Sequence, residues 1–347
     1  MICIEWDMAE ERVKTAAEPR NAQRIGFVLT RNFGLMSYTS AIEPLRAANL
    51  LSGTQLYETV ALSADGAPVR SSSGIVVDCR AIARHGEGCH TVFVCAGGGP
   101  RDWAESEGLI AALRRLSRQG VRIGAISSGA YLLAAAGLLD NRDFTIHWEH
   151  SPLLRETFPH LIPRQARYVI DGDRVTCGGG IAPLDMMHAL IAGRMGTHFA
   201  RRVSDWFLHT AIAEPAAPQR GSAAERYGTN HPALLAVLEK MEATVERPLS
   251  RSTMAAFAGI SERHLDRLFS SQLGSGFLRT YKAIRLRHAR RLVEQSPLSI
   301  AEIAFAAGFS SAAHFSRAHA AAFGHTPREA RRQASAPATG YPPSPER

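Results

Sequence analysis

The sequence predicts an α/β fold followed by an all-α part: an N-terminal parallel sheet with helices on both faces, then two helix-turn-helix units joined by a linker helix. Three observations predict it. Short β-branched or apolar runs alternate with helical stretches over residues 24–193, and such alternation requires crossovers that cover both faces of a parallel sheet. A unit beginning at Leu249 recurs at Leu298. Between the two copies runs an amphipathic stretch from Phe277 to Gln295.

Taken in chain order, RIGFVLT, YETVALSA, GIVVDC, TVFVCAG and VRIGAIS read as strands, with helices over residues 38–51, 103–119 and 130–138. This is a flavodoxin-like succession, and ligands of such sheets bind beyond the carboxyl ends of the strands. The loops of interest are therefore 95–100 (CAGGGP) and 126–131 (ISSGAY). The second contains A-x-S-x-G, the pattern of a tight strand-to-helix elbow that would expose Ser127 above the sheet. The Gly97, Gly98 and Gly99 amides would lie near it as an oxyanion hole does, and His147 in FTIHWEH would supply a base. Acyl transfer is thus one reading. A polar ligand pocket formed by Glu43, Gly97, Gly98, Ser127, Ser128 and His147 is the other. Glu43 is also favourable near a helix start on dipole grounds alone, and His147 also fits as a buttress. Cys95 and Cys177 fall on or beside apolar strands and read as core.

The bulk numbers bound the rest. A chain of 347 residues exceeds one ordinary core and suits two domains. The expected division is a flexible leader over 1–22, a sensing domain over 23–212, a linker over 213–229, a helical domain over 230–333 and a disordered tail over 334–347. The leader carries acids where a signal peptide carries bases, and no window resembles a membrane span. Five cysteines, never spaced C-x-x-C, disfavour a disulfide framework and a zinc site; a reducing, cytoplasmic setting is expected, with no metal and no cofactor. The net charge is +8. Residues 231–333 hold fifteen Lys/Arg against eight Asp/Glu, so the excess is concentrated there and points to a polyanionic partner.

In the repeat, LSRSTMAAFAGIS aligns with LSIAEIAFAAGFS at an offset of 49; one inserted residue then moves the offset to 50, pairing His264 with His314 and Arg267 with Arg317. Each copy has small residues where helices cross, a glycine for a left-handed turn and a serine placed to cap the next helix. In the stretch between, Phe277, Tyr281, Ile284, His288 and Leu292 form one face; Arg279, Lys282, Arg285, Arg287, Arg290 and Arg291 form the other. Nineteen helical residues span about 28 Å, near the ~34 Å between successive major-groove faces. Such a connector would deliver both second helices to one side of a duplex.

At these residues, over 232–331, the chain resembles the AraC/XylS family of transcription regulators, whose closing pattern is carried by IAEIAFAAGFSSAAHFSRAHAAAFGHTP at 300–327. The resemblance implies promoter DNA as partner, with one recognition helix starting at Ser261 and presenting Arg263, Asp266 and Arg267. The other starts near Ser311 and presents Ala312, Ala313, Ser316 and Arg317. Arginine reads guanine bidentately and alanine packs on a thymine methyl. His264 and His314 sit beside the apolar face and read as packing.

Residues 24–212 resemble the amidotransferase-like, PfpI-like sensor domain of GlxA-type members, through AIEPLRAAN at 41–49, SADG at 63–66, Gly97 and Gly98, the elbow, GLLD at 137–140, TIHWE at 145–149 and VTCGGG at 175–180. Hydrolase relatives carry cysteine at the elbow, where this chain has Ser127. A serine hydroxyl without a positioned base is a poor nucleophile. No catalytic residue is therefore expected, and the pocket reads as a receptor. The resemblance implies a homodimeric activator working with RNA polymerase and answering a small nitrogenous effector such as arginine, betaine or carnitine. Two alternatives stand beside it: a Ser127-dependent hydrolase or amidotransferase fused to a DNA-binding module, and a constitutive DNA-binding protein whose α/β part only dimerises.

Overall fold

The computed structural model describes residues 22–103 and 107–335. Residues 1–21 and 336–347, which carry the expected leader and most of the expected tail, lie outside them, as does Cys3.

Seven strands form one sheet. They are β1 (Gln23–Leu29), β2 (Tyr57–Ser63), β5 (Arg80–Ala81), β6 (Thr91–Ala96), β7 (Arg122–Ser127), β8 (Tyr168–Asp171) and β9 (Arg174–Cys177), in the order β5-β2-β1-β6-β7-β9-β8. Every neighbouring pair is parallel except β8 with β9. Register places Ala96 beside Ser127 and Ile126 beside Cys177, so the ends of β6, β7 and β9 open onto one edge of the sheet. One apolar layer packs beneath α1 (Leu35–Ser52), α6 (Ala182–Met195) and α7 (Thr197–Trp206), through Phe27, Phe93, Leu45 and Met186. The opposite layer receives α2 (Ile82–His85), α3 (Glu107–Arg118), α4 (Gly129–Ala135) and α5 (Ser151–Thr157), through Val94, Leu113, Leu133 and Leu154.

Two strand expectations need correction. GIVVDC is not a sheet strand: β4 (Val76–Val77) pairs only with β3 (Val69–Arg70), in a small antiparallel hairpin turned at Gly74. The free edge of β2 is taken by β5, so Ile75 and Val76 stay about half exposed. Conversely, YVIDGDRVTC forms the β8–β9 hairpin, with Gly172 left-handed at φ 58°. Its Asp-Gly pair is a hairpin signal that the sequence reading left unused.

The helical part comprises α8 (Ala223–Tyr227), α9 (Pro232–Ala243), α10 (Arg251–Phe257), α11 (Glu262–Leu273), α12 (Phe277–Gln295), α13 (Ile300–Ala306), α14 (Ala312–Phe323) and α15 (Pro327–Ser335). It has two cores. Phe277, Tyr281 and Ile284 of α12 join Leu234, Leu265 and Phe269 in the first. Leu286, Ala289, Leu292 and Val293 join Ile303 and Phe315 in the second. Among the described residues, no helix is long and apolar enough to cross a membrane.

The segment expected as a linker, 213–229, is tied down. The Pro215 carbonyl accepts from the Arg167 and Tyr168 amides beside β8. Asp185 of α6, fully buried, accepts from the Ala213 amide at 3.0 Å, from Arg167 at 2.7 and 2.9 Å, and pairs with His209 at 2.7 Å. A buried carboxylate without such partners would be strongly disfavoured, so the geometry of the segment and the burial of Asp185 require each other.

Candidate functional site

In each repeat copy, local chemistry sets the turn. Ser250 and Ser299 cap α10 and α13; Ser261 and Ser311 cap α11 and α14, accepting from the His264 and His314 amides at 3.2 Å. Gly259 and Gly308 adopt φ 67° and 72°, a region closed to most side chains. At Gly308 a side chain would also press on the Val245 carbonyl and Pro248. The serines expected at the DNA surface thus spend their hydroxyls on capping.

Arg263, Arg267, Ala313 and Arg317 are exposed along α11 and α14. Ala312 is half-buried against the second core, and Ser316 is also half-buried. Asp266 is held by Arg251 at 2.9 Å, and the same guanidinium binds Glu262 at 2.7 Å. That pairing ties both acids of α11 to one guanidinium and offsets part of their charge, beside the exposed Arg263 and Arg267. His264 packs edge-on to His231, and His314 edge-on to Phe309.

The basic face read on α12 divides into different roles. Arg285 donates to the Ala307 and Gly308 carbonyls and lies over Phe309. Arg290 pairs with Glu294 and covers Phe323. Arg279, Lys282 and Arg287 are exposed. The α12 helix also packs on α5, which brings Arg291 within 5.7 Å of the Trp148 ring, whose face Arg220 approaches to 4.3 Å. A helix set against two cores and a second domain keeps only part of its surface free, and its arginines serve packing as well as charge.

At the strand ends, Ser127 has φ 61°, the strained elbow conformation. The elbow depends on its surroundings: a side chain at Gly129 would overlap the Val94 carbonyl, and one at Gly179 would lie 2.7 Å from the Ser127 Cβ. Ser128 is fully buried, and its hydroxyl has no partner among the described residues. Gly97 packs on the Asn32 carbonyl, and the Gly99 amide donates to Asp102, which also accepts from Asn32 at 2.7 Å. The His147 amide reaches the Ser127 carbonyl at 3.4 Å, and its Nδ1 accepts from the Glu149 amide at 3.3 Å. Burial holds the His147 imidazole below its ordinary pKa and so keeps it neutral. Among the described residues, no hydrogen bond joins its ring to the Ser127 hydroxyl.

Gly97, Gly98, Ser127, Ser128 and His147 therefore lie on neighbouring strand-end loops, whereas Glu43 turns to its own helix and pairs with Arg46 at 2.7 Å. Ser37 takes the place at the loops, accepting from the Gly180 amide at 2.8 Å. Cys95 and Cys177 are fully buried, and burial pushes both thiols up, Cys177 to about 12, so neither is a nucleophile.

Gln219 escaped the sequence reading. Its carbonyl accepts from the Trp148 amide at 2.8 Å, and its amide nitrogen lies 2.6–2.9 Å from Thr145 Oγ1, the Ile146 carbonyl and the Ala166 carbonyl. Nothing local marks this glutamine; its partners lie more than fifty residues away. Gln219→Ala is expected to cost about 1–3 kcal/mol by orphaning these buried groups, read as a lowered denaturation midpoint with an unchanged m-value.

Two further histidines sit where α12 meets the α/β body. Burial, and secondarily His147, push His150 down to about 4; burial, then Arg291 and Arg155, do the same to His288. Gln295 also faces His150. The unfolded chain takes up these protons near the ordinary imidazole pKa and the folded chain only near 4. Their contribution is thus complete above about pH 6.5 and is lost as pH falls toward 4. Thermal midpoints from pH 7.5 to 4.5 should fall along that path, and less steeply in His288→Gln.

The comparisons with known proteins agree with this architecture. The DJ-1/PfpI family matches residues 23–193, and a helix-turn-helix domain family matches residues 254–333. The chain is 68% identical over 318 residues to the HTH-type transcriptional regulator GlxA of Rhizobium meliloti (strain 1021), spanning 92% of this chain and 98% of that protein. The chain belongs to the AraC-type transcriptional regulators of this kind. Another relative in the family, the HTH-type transcriptional regulator GbdR of Pseudomonas aeruginosa, is 38% identical over 90% of this chain and 85% of its own length. The crystal structure of an AraC family transcriptional regulator from Pseudomonas putida superposes with a TM-score of 0.50 at 27% identity, covering 53% of this chain and 99% of that one. As an AraC-type regulator, the chain is a DNA-binding protein whose second domain has the DJ-1/PfpI fold.

Proposed function

We propose that this regulator is a cytoplasmic, homodimeric activator that recruits RNA polymerase when a small nitrogenous metabolite occupies the strand-end site. In this reading the sensing domain spans 23–212, the segment 213–229 connects, and 230–333 binds promoter DNA. Arg263, Arg267 and Arg317 contact the duplex, with Ala313 against a thymine methyl; Asp266, held by Arg251, tunes rather than reads. The single observation behind it is the pair of identically capped helices, α11 and α14, each with exposed arginine and fixed by one connector. A gel-shift series on promoter fragments should show a preferred site and affinity that falls with salt through counterion release. Absence of both would reject it.

The effector would lie among Gly97, Gly98, Ser127, Ser128 and His147. Two guanidinium groups, Arg220 and Arg291, lie over the nearby Trp148 ring, which suits the carboxylate that arginine, betaine and carnitine share. Thermal shift with arginine, betaine and carnitine tests this, since a ligand bound to the folded chain raises its apparent stability.

The Ser127 elbow is the one observation favouring a hydrolase. With no base hydrogen-bonded to the hydroxyl, a labelled fluorophosphonate should leave the protein unmodified. Labelling that disappears in Ser127→Ala would establish the enzyme instead.

A further inference from the structure

The third glycine of the strand-end loop has a role that the first two lack. Gly99 is buried, and its φ is not positive, so its backbone admits a side chain. The three atoms nearest to a Cβ there belong to Gln295, the last residue of α12, with the carbonyl oxygen at 3.0 Å and Cα at 3.3 Å. The glycine is a socket for the end of the connector helix. Around it, α12 rests on α5, Arg291 lies toward Trp148, and Gln295 faces His150.

This seat is poorly matched. Arg291 Nε is buried without a hydrogen-bond partner among the described residues, and Gln295 Oε1 and His150 Nδ1 are buried facing each other without a well-formed hydrogen bond. Charge across it is mixed: Glu156 of α5 faces Glu246, and Arg291 lies within electrostatic reach of Arg220 but also of Glu149 and Glu242. Unpartnered buried polar atoms and facing like charges weaken a contact that shape has brought together, and inter-domain contacts of this kind open readily.

We propose that α12, seated on the Gly99 and Trp148–His150 loops, is an intramolecular latch. It closes the candidate effector site and holds both helix-turn-helix units to the α/β body until a ligand displaces it. The proposal rests on the reading that these loops bind the effector. Because α12 feeds both helical cores, releasing it frees both recognition helices together.

Hydrogen exchange of the full chain tests it without a ligand. Gly99→Val would press on the Gln295 carbonyl so that the end of α12 must give way, and exchange of amides 147–157 should accelerate about tenfold. Glu246→Lys replaces repulsion from Glu156 by attraction and should slow the same amides. Gly99→Val should also bind a mixed-sequence duplex about tenfold more tightly. Unchanged exchange in both variants, with wild-type unfolding profiles, overturns the latch. Faster exchange without tighter duplex binding overturns its regulatory role. If neither protein shows salt-dependent duplex binding, the functional reading above fails instead.

Discussion

Asp185→Ala is expected to destabilise the protein by about 3–5 kcal/mol, because it leaves the Arg167 guanidinium and the His209 ring without the buried carboxylate that holds them. Thermal denaturation should show a midpoint lowered by on the order of 10 °C. The loss extends beyond the ion pair, since the Ala213 amide would also be unpartnered and the segment leading to the helical part would loosen. Asp185→Asn should cost less, because its amide oxygen still accepts from Ala213. Proteolysis should find the 209–219 stretch first in the alanine variant. An alanine variant as stable as the wild type would mean that the buried cluster contributes nothing net, as happens when desolvation cancels attraction.

Arg267→Ala and Arg317→Ala should each weaken specific DNA binding by about 1–3 kcal/mol, and the double variant by roughly the sum, since the proposed reading places the two helices at separate stretches of the duplex. If either arginine meets phosphate, the salt slope falls by about 1 per side chain. Fluorescence anisotropy on a selected site, at several salt concentrations, separates base contacts from phosphate contacts. Neither side chain has an ion-pair partner among the described residues, so folding should be untouched. Equal DNA binding in the double variant would remove these helices as the recognition surface. The outcome also bears on Arg285, Arg290 and Arg291, which read identically in the sequence but are engaged elsewhere: Arg285→Ala should act on stability, through the Ala307 and Gly308 carbonyls, before it acts on DNA.

Much of the architecture was legible because it rests on local rules. Ser261 and Ser311 cap their helices, Gly259 and Gly308 turn left-handed, and Ser127 sits at an elbow. Each follows from a few consecutive residues. GIVVDC failed because an apolar run does not reveal whether a neighbouring strand will be there to receive it. The placement of Glu43 has a related reason: it pairs with an arginine three residues on, while Ser37 on the same helix reaches the loops.

By itself, then, the order of residues determined the two repeated units, their caps and turns, the alternating sheet and the elbow. All of these are set by backbone preferences and periodicities that act over a few residues. Only the tertiary structure decided which arginines of α12 are packing groups, that Gln219 and Asp185 bind the intervening segment, and that Gly99 seats the end of α12. Those contacts join residues tens to nearly two hundred positions apart. Their energies depend on distance and burial, which no local pattern encodes.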